Sequence, residues 1–228
     1  MLYLIITVLL VVIVFAPQWW VRYVLKKHAK PMAGMPGTGG ELAKHLLERF
    51  ELSEVKLEQG NEGDNYYSPD ENKVCLSPDV FNGKSLTAVA SAAHEVGHAI
   101  QFNRKEPVSF LRGKYLHNAN RIQNLGIMLL SAMPVIAVAI RIPHLTLITL
   151  LIGVVTMLAS VVMYMAILPE EWDASFNKAL PILVEGDYVP EEYLPAIREV
   201  LKACALTYVA AALADVLSIW RWLYILRA

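Results

Sequence analysis

One stretch constrains this chain more than any other: Leu145 to Leu168, 24 residues without a charged side chain. Eighteen or more such residues read as a transmembrane helix, since about 20 residues rising 1.5 Å each cross the hydrocarbon core. Three further apolar runs accompany it, at 2–16, 125–140 and 203–226. The first leads into Trp19 and Trp20, which suit a membrane interface, and then into Arg22, Lys26, Lys27 and Lys30. It has no basic segment before it and no small-residue cleavage site after it. It therefore reads as a retained anchor rather than a signal peptide. The second run holds Pro134 and reaches the usual minimum of about 17 residues only if it starts near Ile122. The fourth is interrupted by Asp215 and Arg221, and a buried or interfacial helix is its other reading.

Composition agrees. Hydrophobic residues make up 56% of the 228 and charged residues 18%, against about 25% charged in ordinary soluble domains. A disordered chain is excluded. A net charge of −1 without a basic patch argues against a nucleic-acid partner. Cys75 and Cys204 stand far apart, which indicates neither a disulfide framework nor a cysteine-built zinc site.

Residues 22–124 carry 14 of the 20 basic side chains, residues 169–202 carry three, and the 141–144 loop carries one. By the positive-inside rule both polar regions face the cytoplasm. Arg221 and Arg227 fit this less well. The expected organisation is an anchor (1–23), a cytoplasmic catalytic region (24–124), a transmembrane hairpin (125–168), a second cytoplasmic segment (169–202) and a C-terminal span (203–228).

Within the polar regions, 31–40 is a Pro/Gly linker. Thr38 and Glu41 form a capping box that opens a helix over 41–50. Alternation predicts strands at 53–59 and 73–77, separated by a turn-rich 60–72. Ser85 is an N-cap for a helix over 85–102, whose apolar residues Leu86, Val89, Ala93, Val96 and Ile100 keep a helical period. Pro190, Glu191 and Glu192 open another helix toward Lys202.

The 85–102 helix contains His94-Glu95-Val96-Gly97-His98, an H-E-x-x-H pattern. Residues four apart share a helical face, so both imidazoles can reach one ion. Zinc accepts neutral histidine nitrogen and brings the pKa of a bound water to near 7. Glu95 is placed to act as general base and then to hand the proton to the leaving amine. With six histidines and 15 glutamates, chance produces the pattern in on the order of 1% of such chains. The plain alternative is a helix with two exposed histidines.

A catalytic zinc needs a third protein ligand. The longer H-E-x-x-H-x-x-G-x-x-H motif is not met, because Gln101 and Arg104 stand at its last two fixed positions. The segment 169–178 offers Glu170, Glu171 and Asp173, and two spans return it to the side of the zinc helix. The same acids also suit an ordinary solvated helix start. His117 is a weaker candidate. His28, His45 and His144 read as structural or exposed. Tyr66 and Tyr67 are candidate oxyanion donors. Asp215 is a candidate intramembrane acid, and the 73–77 strand a candidate edge for an extended peptide.

His94-Glu95-Val96-Gly97-His98-Ala99-Ile100-Gln101 resembles the signature of the YugP-type neutral zinc metallopeptidases, prokaryotic membrane proteins. Gly63–Tyr66 through Val74–Ser77, Glu171-Trp172-Asp173-Ala174-Ser175 and Leu206–Leu213 extend the resemblance over nearly the whole chain. The arrangement is more distantly similar to HtpX-type and CaaX prenyl proteases. In those a downstream glutamate in an E-x-x-A-D-like helix is the third ligand, which implies Glu171 here. Ser175 replaces their aspartate, and Asp173 remains a rival ligand.

The expectation is a mainly α integral membrane protein with about four transmembrane helices and a small α+β zinc-metallopeptidase region. One Zn2+ per chain is expected on His94, His98 and Glu171, with Glu95 catalytic. It would hydrolyse peptides or membrane proteins on the cytoplasmic side of the plasma membrane. Two other classes also fit: a non-catalytic metal-binding membrane scaffold, with His117 as a fourth ligand, or a transport component using Asp215. The sequence does not give the physiological substrate or the oligomeric state.

Overall fold

The computed structural model describes residues 2–140 and 143–217. The chain is mainly helical with one three-stranded sheet. In order it forms α1 (Leu2–Lys27), α2 (Gly39–Arg49), β1 (Lys56–Gln59), β2 (Tyr66–Ser68), β3 (Lys73–Leu76), α3 (Pro78–Phe81), α4 (Leu86–Asn103), α5 (Leu111–Ile140), α6 (Pro143–Trp172), a π-helical turn (Asp173–Ala179), α7 (Leu180–Glu185) and α8 (Leu194–Leu217). These fall into two compact units. One holds residues 1–19, 111–168 and 207–228, and the other 20–110 and 169–206.

The first unit is built on α5 and α6. Helix α5 begins at Leu111, well before the apolar run, because the preceding polar stretch carries its own helical period. Arg112, Ala119, Gln123 and Leu130 are buried along one side, and Leu116 and Ile127 pack beside them. Against this side lie Met157, Val161, Tyr164 and Ile167 of α6, with Ala212 of α8. Tyr164 sits between the side-chain amides of Asn120 and Gln123, satisfying polar groups inside an apolar packing. The opposite face of α6 is apolar and open: Leu147, Leu151, Val155, Leu158, Val162 and Met165 are all exposed. An exposed apolar face of this kind marks contact with a membrane or with another protein.

Among the described residues one helix, Leu147–Glu185, is long and apolar enough to cross a membrane. At 39 residues it is about twice the length a bilayer needs, and its uncharged part ends at Leu168. The chain from Pro169 onward carries charge and belongs to the second unit. Of the four expected spans, one is a clear candidate among the described residues, and the other three are not confirmed. The end of the fourth run from residue 218, with Arg221, and Arg227 after it fall outside the described residues, as does the side chain of Asp215.

The second unit is organised around α4. Ser85 caps its start by accepting from the Ala88 amide, and Leu86 to Gln101 are all buried. A helix buried on every side is apolar all round except where its polar groups find partners. Helix α2 packs beside it, opened by the Thr38–Glu41 capping box in both directions. Near the start of α4, where Thr87 bonds the 25–28 segment, the Glu199 carboxyl of α8 is held below its usual range by hydrogen bonds from His28 and Lys27.

The sheet order is β1-β3-β2, with β1 parallel and β2 antiparallel to β3. The 73–77 strand is therefore central, with both edges paired, and cannot receive a peptide. The three-residue β2 lies inside the stretch expected to be all turn. Its Tyr67 ring packs on Phe102 of α4.

Candidate metal centre

The helical spacing of His94 and His98 brings their rings edge to face, 4.7 Å between centroids. One potential ligand atom from each of His94, Glu95 and His98 falls within 4.8 Å of the others, and all three residues are buried. The fourth participant arrives from 73 residues away in sequence. Glu171 Oε2 lies 3.3 Å from His94 Nε2 and 3.2 Å from His98 Nε2, with the glutamate only 1% exposed.

Two local features bring Glu171 in. Gly97 lets α4 approach the 171–178 segment closely: a Cβ there would stand 2.7 Å from the Ala174 carbonyl oxygen. The helix also widens into a π turn just after Glu171, where the Leu180 amide donates to the Ser175 carbonyl five residues back. Such turns recur at functional sites. Here it puts Ser175 on the same side as Glu171. The uncharged run therefore continues into a buried helical segment, where the sequence allowed a solvated helix start.

The outer nitrogens of both imidazoles are engaged. Ser175 Oγ donates to the Leu201 carbonyl at 3.0 Å, so at 2.9 Å from His94 Nδ1 it must accept. Gln101 Oε1 lies 3.0 Å from His98 Nδ1, and Gln101 Nε2 donates elsewhere. Both rings thus carry their proton on Nδ1 and turn the Nε2 lone pair toward the Glu171 carboxylate. Three acceptors facing one another at 3.2–3.3 Å repel unless a proton or a cation lies between them. Burial alone would push the Glu171 carboxyl up. Where His98 and His94 carry a proton toward it, their positive charge and hydrogen bonds outweigh that and hold it well below the usual carboxylate range; a cation between the three groups takes the same place when the rings are neutral. Two neutral imidazoles and one carboxylate form a donor set that suits zinc, with both histidines oriented from behind. Glu95 is also buried, and its Oε2 has no hydrogen-bond partner among the described residues.

The other expected residues lie elsewhere or serve other contacts. Asp173 accepts from Gln101, Asn177 and Lys178, whose combined donation holds its carboxyl low against the effect of burial. Glu170 Oε1 is 3.9 Å from His98 Nδ1, too far for a hydrogen bond. His117 belongs to α5 in the first unit. His28 pairs with Glu199 and His45 with Tyr188, and His144 is exposed at the start of α6. Tyr67 donates to Asn72, and Tyr66 is paired with Cys75 across the sheet. Sequence reasoning missed Gln101 and Ser175 as supports for the histidines. The only signal was their place in the two segments that resemble the YugP-type family.

A buried H-E-x-x-H helix faced by a distant glutamate defines a zinc-metallopeptidase type of site. Residues 3–227 match the family described as "Putative neutral zinc metallopeptidase", and the chain belongs to that family. It is also 30% identical over 233 residues to "Putative membrane protease YugP" of Bacillus subtilis (strain 168), covering 99% of this chain and 96% of that one. No solved structure matches the chain.

Proposed function

We propose that this chain is a multi-pass plasma-membrane zinc metalloendopeptidase that hydrolyses peptides or membrane proteins at a cytoplasmic site. The observation that carries the reading is the convergence of His94 Nε2, His98 Nε2 and Glu171 Oε2, with both Nδ1 atoms already occupied. These three side chains hold one zinc ion. Zinc at such a site supplies a Lewis acid and makes water nucleophilic at neutral pH. Glu95 contributes a buried carboxylate whose Oε2 meets no hydrogen-bond partner among the described residues. It takes a proton from the attacking water and delivers it to the leaving amine. Burial keeps bulk water away and strengthens each of these electrostatic contacts.

The test is Glu95→Gln, measured as peptidase activity and zinc content in the detergent-purified full chain. General acid–base groups contribute about 10²–10⁴-fold to rate. A loss of that size is expected, with about one zinc per chain retained. Full activity in the variant would overturn the mechanism. Zinc retained with no activity in either protein would favour a non-catalytic metal-binding scaffold.

The topology has its own test. Single cysteines are placed at positions 60–72 in a chain whose Cys75 and Cys204 have been replaced. They are expected to resist an impermeant thiol reagent in intact cells and to react after permeabilisation. Labelling in intact cells would put residues 22–124, and the site with them, outside.

A further inference from the structure

Asp173, the rival ligand on sequence grounds, is engaged on every side by donors. Oδ2 accepts from Gln101 Nε2 at 2.7 Å and from Lys178 Nζ at 3.1 Å, and Oδ1 accepts from Asn177 Nδ2 at 2.6 Å. Lys178 is anchored in turn by Glu106 Oε2 at 2.9 Å. Gln101 is fully buried, and its Nε2 also donates to the Glu170 carbonyl at 3.0 Å. Both of these Nε2 partners are acceptors only, so the amide has one favourable orientation. In it Oε1 faces His98 Nδ1.

The reverse orientation would present a donor to Nδ1 and move the proton of His98 to Nε2, where it blocks a metal. The Asp173 carboxylate makes that orientation costly, because the amide oxygen would then face a buried-side negative charge. We propose that Asp173 and Gln101 are positioning residues of the metal centre, with Asp173 locking the Gln101 amide so that His98 keeps its Nε2 lone pair toward Glu171. This rests on the zinc reading above and deepens it. In metal sites a carboxylate commonly orients a histidine directly; here it acts at one remove, through an amide that can be turned.

Asp173→Asn is the sharp variant. It keeps size and shape but offers a donor to a reversed amide, so the lock is lost. Gln101→Glu keeps an acceptor for His98 but faces Asp173 with a like charge. In the double variant the carboxylate and the amide exchange places, and an acceptor again faces Nδ1. The full chain, purified in detergent, is compared as wild type, both single variants, the double variant and Glu171→Ala. Zinc affinity is read by competition with a coloured chelator, and the cobalt(II)-loaded forms by their visible spectra.

Each single variant is expected to weaken zinc by about 10-fold or more, the range seen when outer partners of ligands are removed, and to shift the cobalt bands. The double variant restores the donor–acceptor pairing between positions 101 and 173 but leaves the Glu170 carbonyl without the Gln101 donor, so it is expected to recover part of the affinity and to return the cobalt bands toward the wild-type spectrum. A purely structural role predicts that the double variant is worse than either single, and that result overturns the proposal. So do single variants that bind zinc like wild type. If those bind normally while Glu171→Ala loses zinc, the lock falls and the zinc reading stands. If wild type itself takes up no zinc, both fall.

Discussion

Glu171→Ala is expected to cost at least about 10²-fold in zinc affinity while leaving the helical content of the chain intact. Removing one member of a buried charged set typically costs about 3–5 kcal/mol, and each 1.4 kcal/mol is about tenfold in an equilibrium constant. The geometry makes Glu171 the member to remove. Among the described residues its carboxylate lies at 3.3 and 3.2 Å from the two Nε2 atoms. In the metal-free state the variant leaves the His94 and His98 rings without their carboxylate, so it should melt at or below the metal-free wild type. Wild type should gain stability from zinc by mass action, and the variant should not. Zinc content after mild chelator challenge, with melting curves in excess chelator and in excess zinc, reads all three. Retention of zinc by Glu171→Ala would hand the third position to another acid.

Gly97→Ala is expected to damage the same site from the other side. A Cβ at position 97 would stand 2.7 Å from the Ala174 carbonyl oxygen and 3.3 Å from Lys178 Cβ. The first is backbone, so the 171–178 segment has to move away from α4. Overpacking of this kind costs about 1–3 kcal/mol, and the displaced segment carries Glu171 and Ser175. Zinc affinity should fall by about 10–100-fold, with peptidase activity falling in step. Alanine favours a helix over glycine by about 1 kcal/mol, so α4 itself does not suffer. Loss of zinc with unchanged far-ultraviolet circular dichroism therefore isolates the helix-to-helix approach. Zinc binding equal to wild type would show that the approach is not what holds Glu171 in place.

Much of the local structure was legible because its causes are local. The Thr38–Glu41 box opens α2 at Gly39, and Ser85 caps α4. Both follow from side chains reaching backbone groups three residues away. The β2 strand was not legible. It is three residues long, set among turn formers, and exists because β3 offers it an antiparallel partner. The early start of α5 was obscured by polar residues on its outer side, and its period shows only when the buried set Arg112, Ala119, Gln123 and Leu130 is picked out. The 73–77 strand looked like a free edge because nothing in a single strand tells which neighbours flank it.

The site divides along the same line. The sequence by itself determined that two histidines share one helical face with a glutamate beside them, since i, i+4 geometry needs no tertiary contact. It determined the 24-residue uncharged run and, through the resembling segments, the kind of protein to expect. The resemblance implied Glu171 as the acid that comes to the histidines, but the physical reason lies in the tertiary structure. Glu170, Glu171 and Asp173 are neighbours in one segment, and no local preference separates them. The close approach at Gly97 and the widened turn after Trp172 aim Glu171 at both Nε2 atoms and turn Asp173 toward Gln101. The state of the imidazoles was decided the same way. Ser175 reaches His94 from across the packed helices, Gln101 reaches His98 from one turn along α4 while held by Glu170 and Asp173, and a proton's place on a ring follows from the partner that faces it.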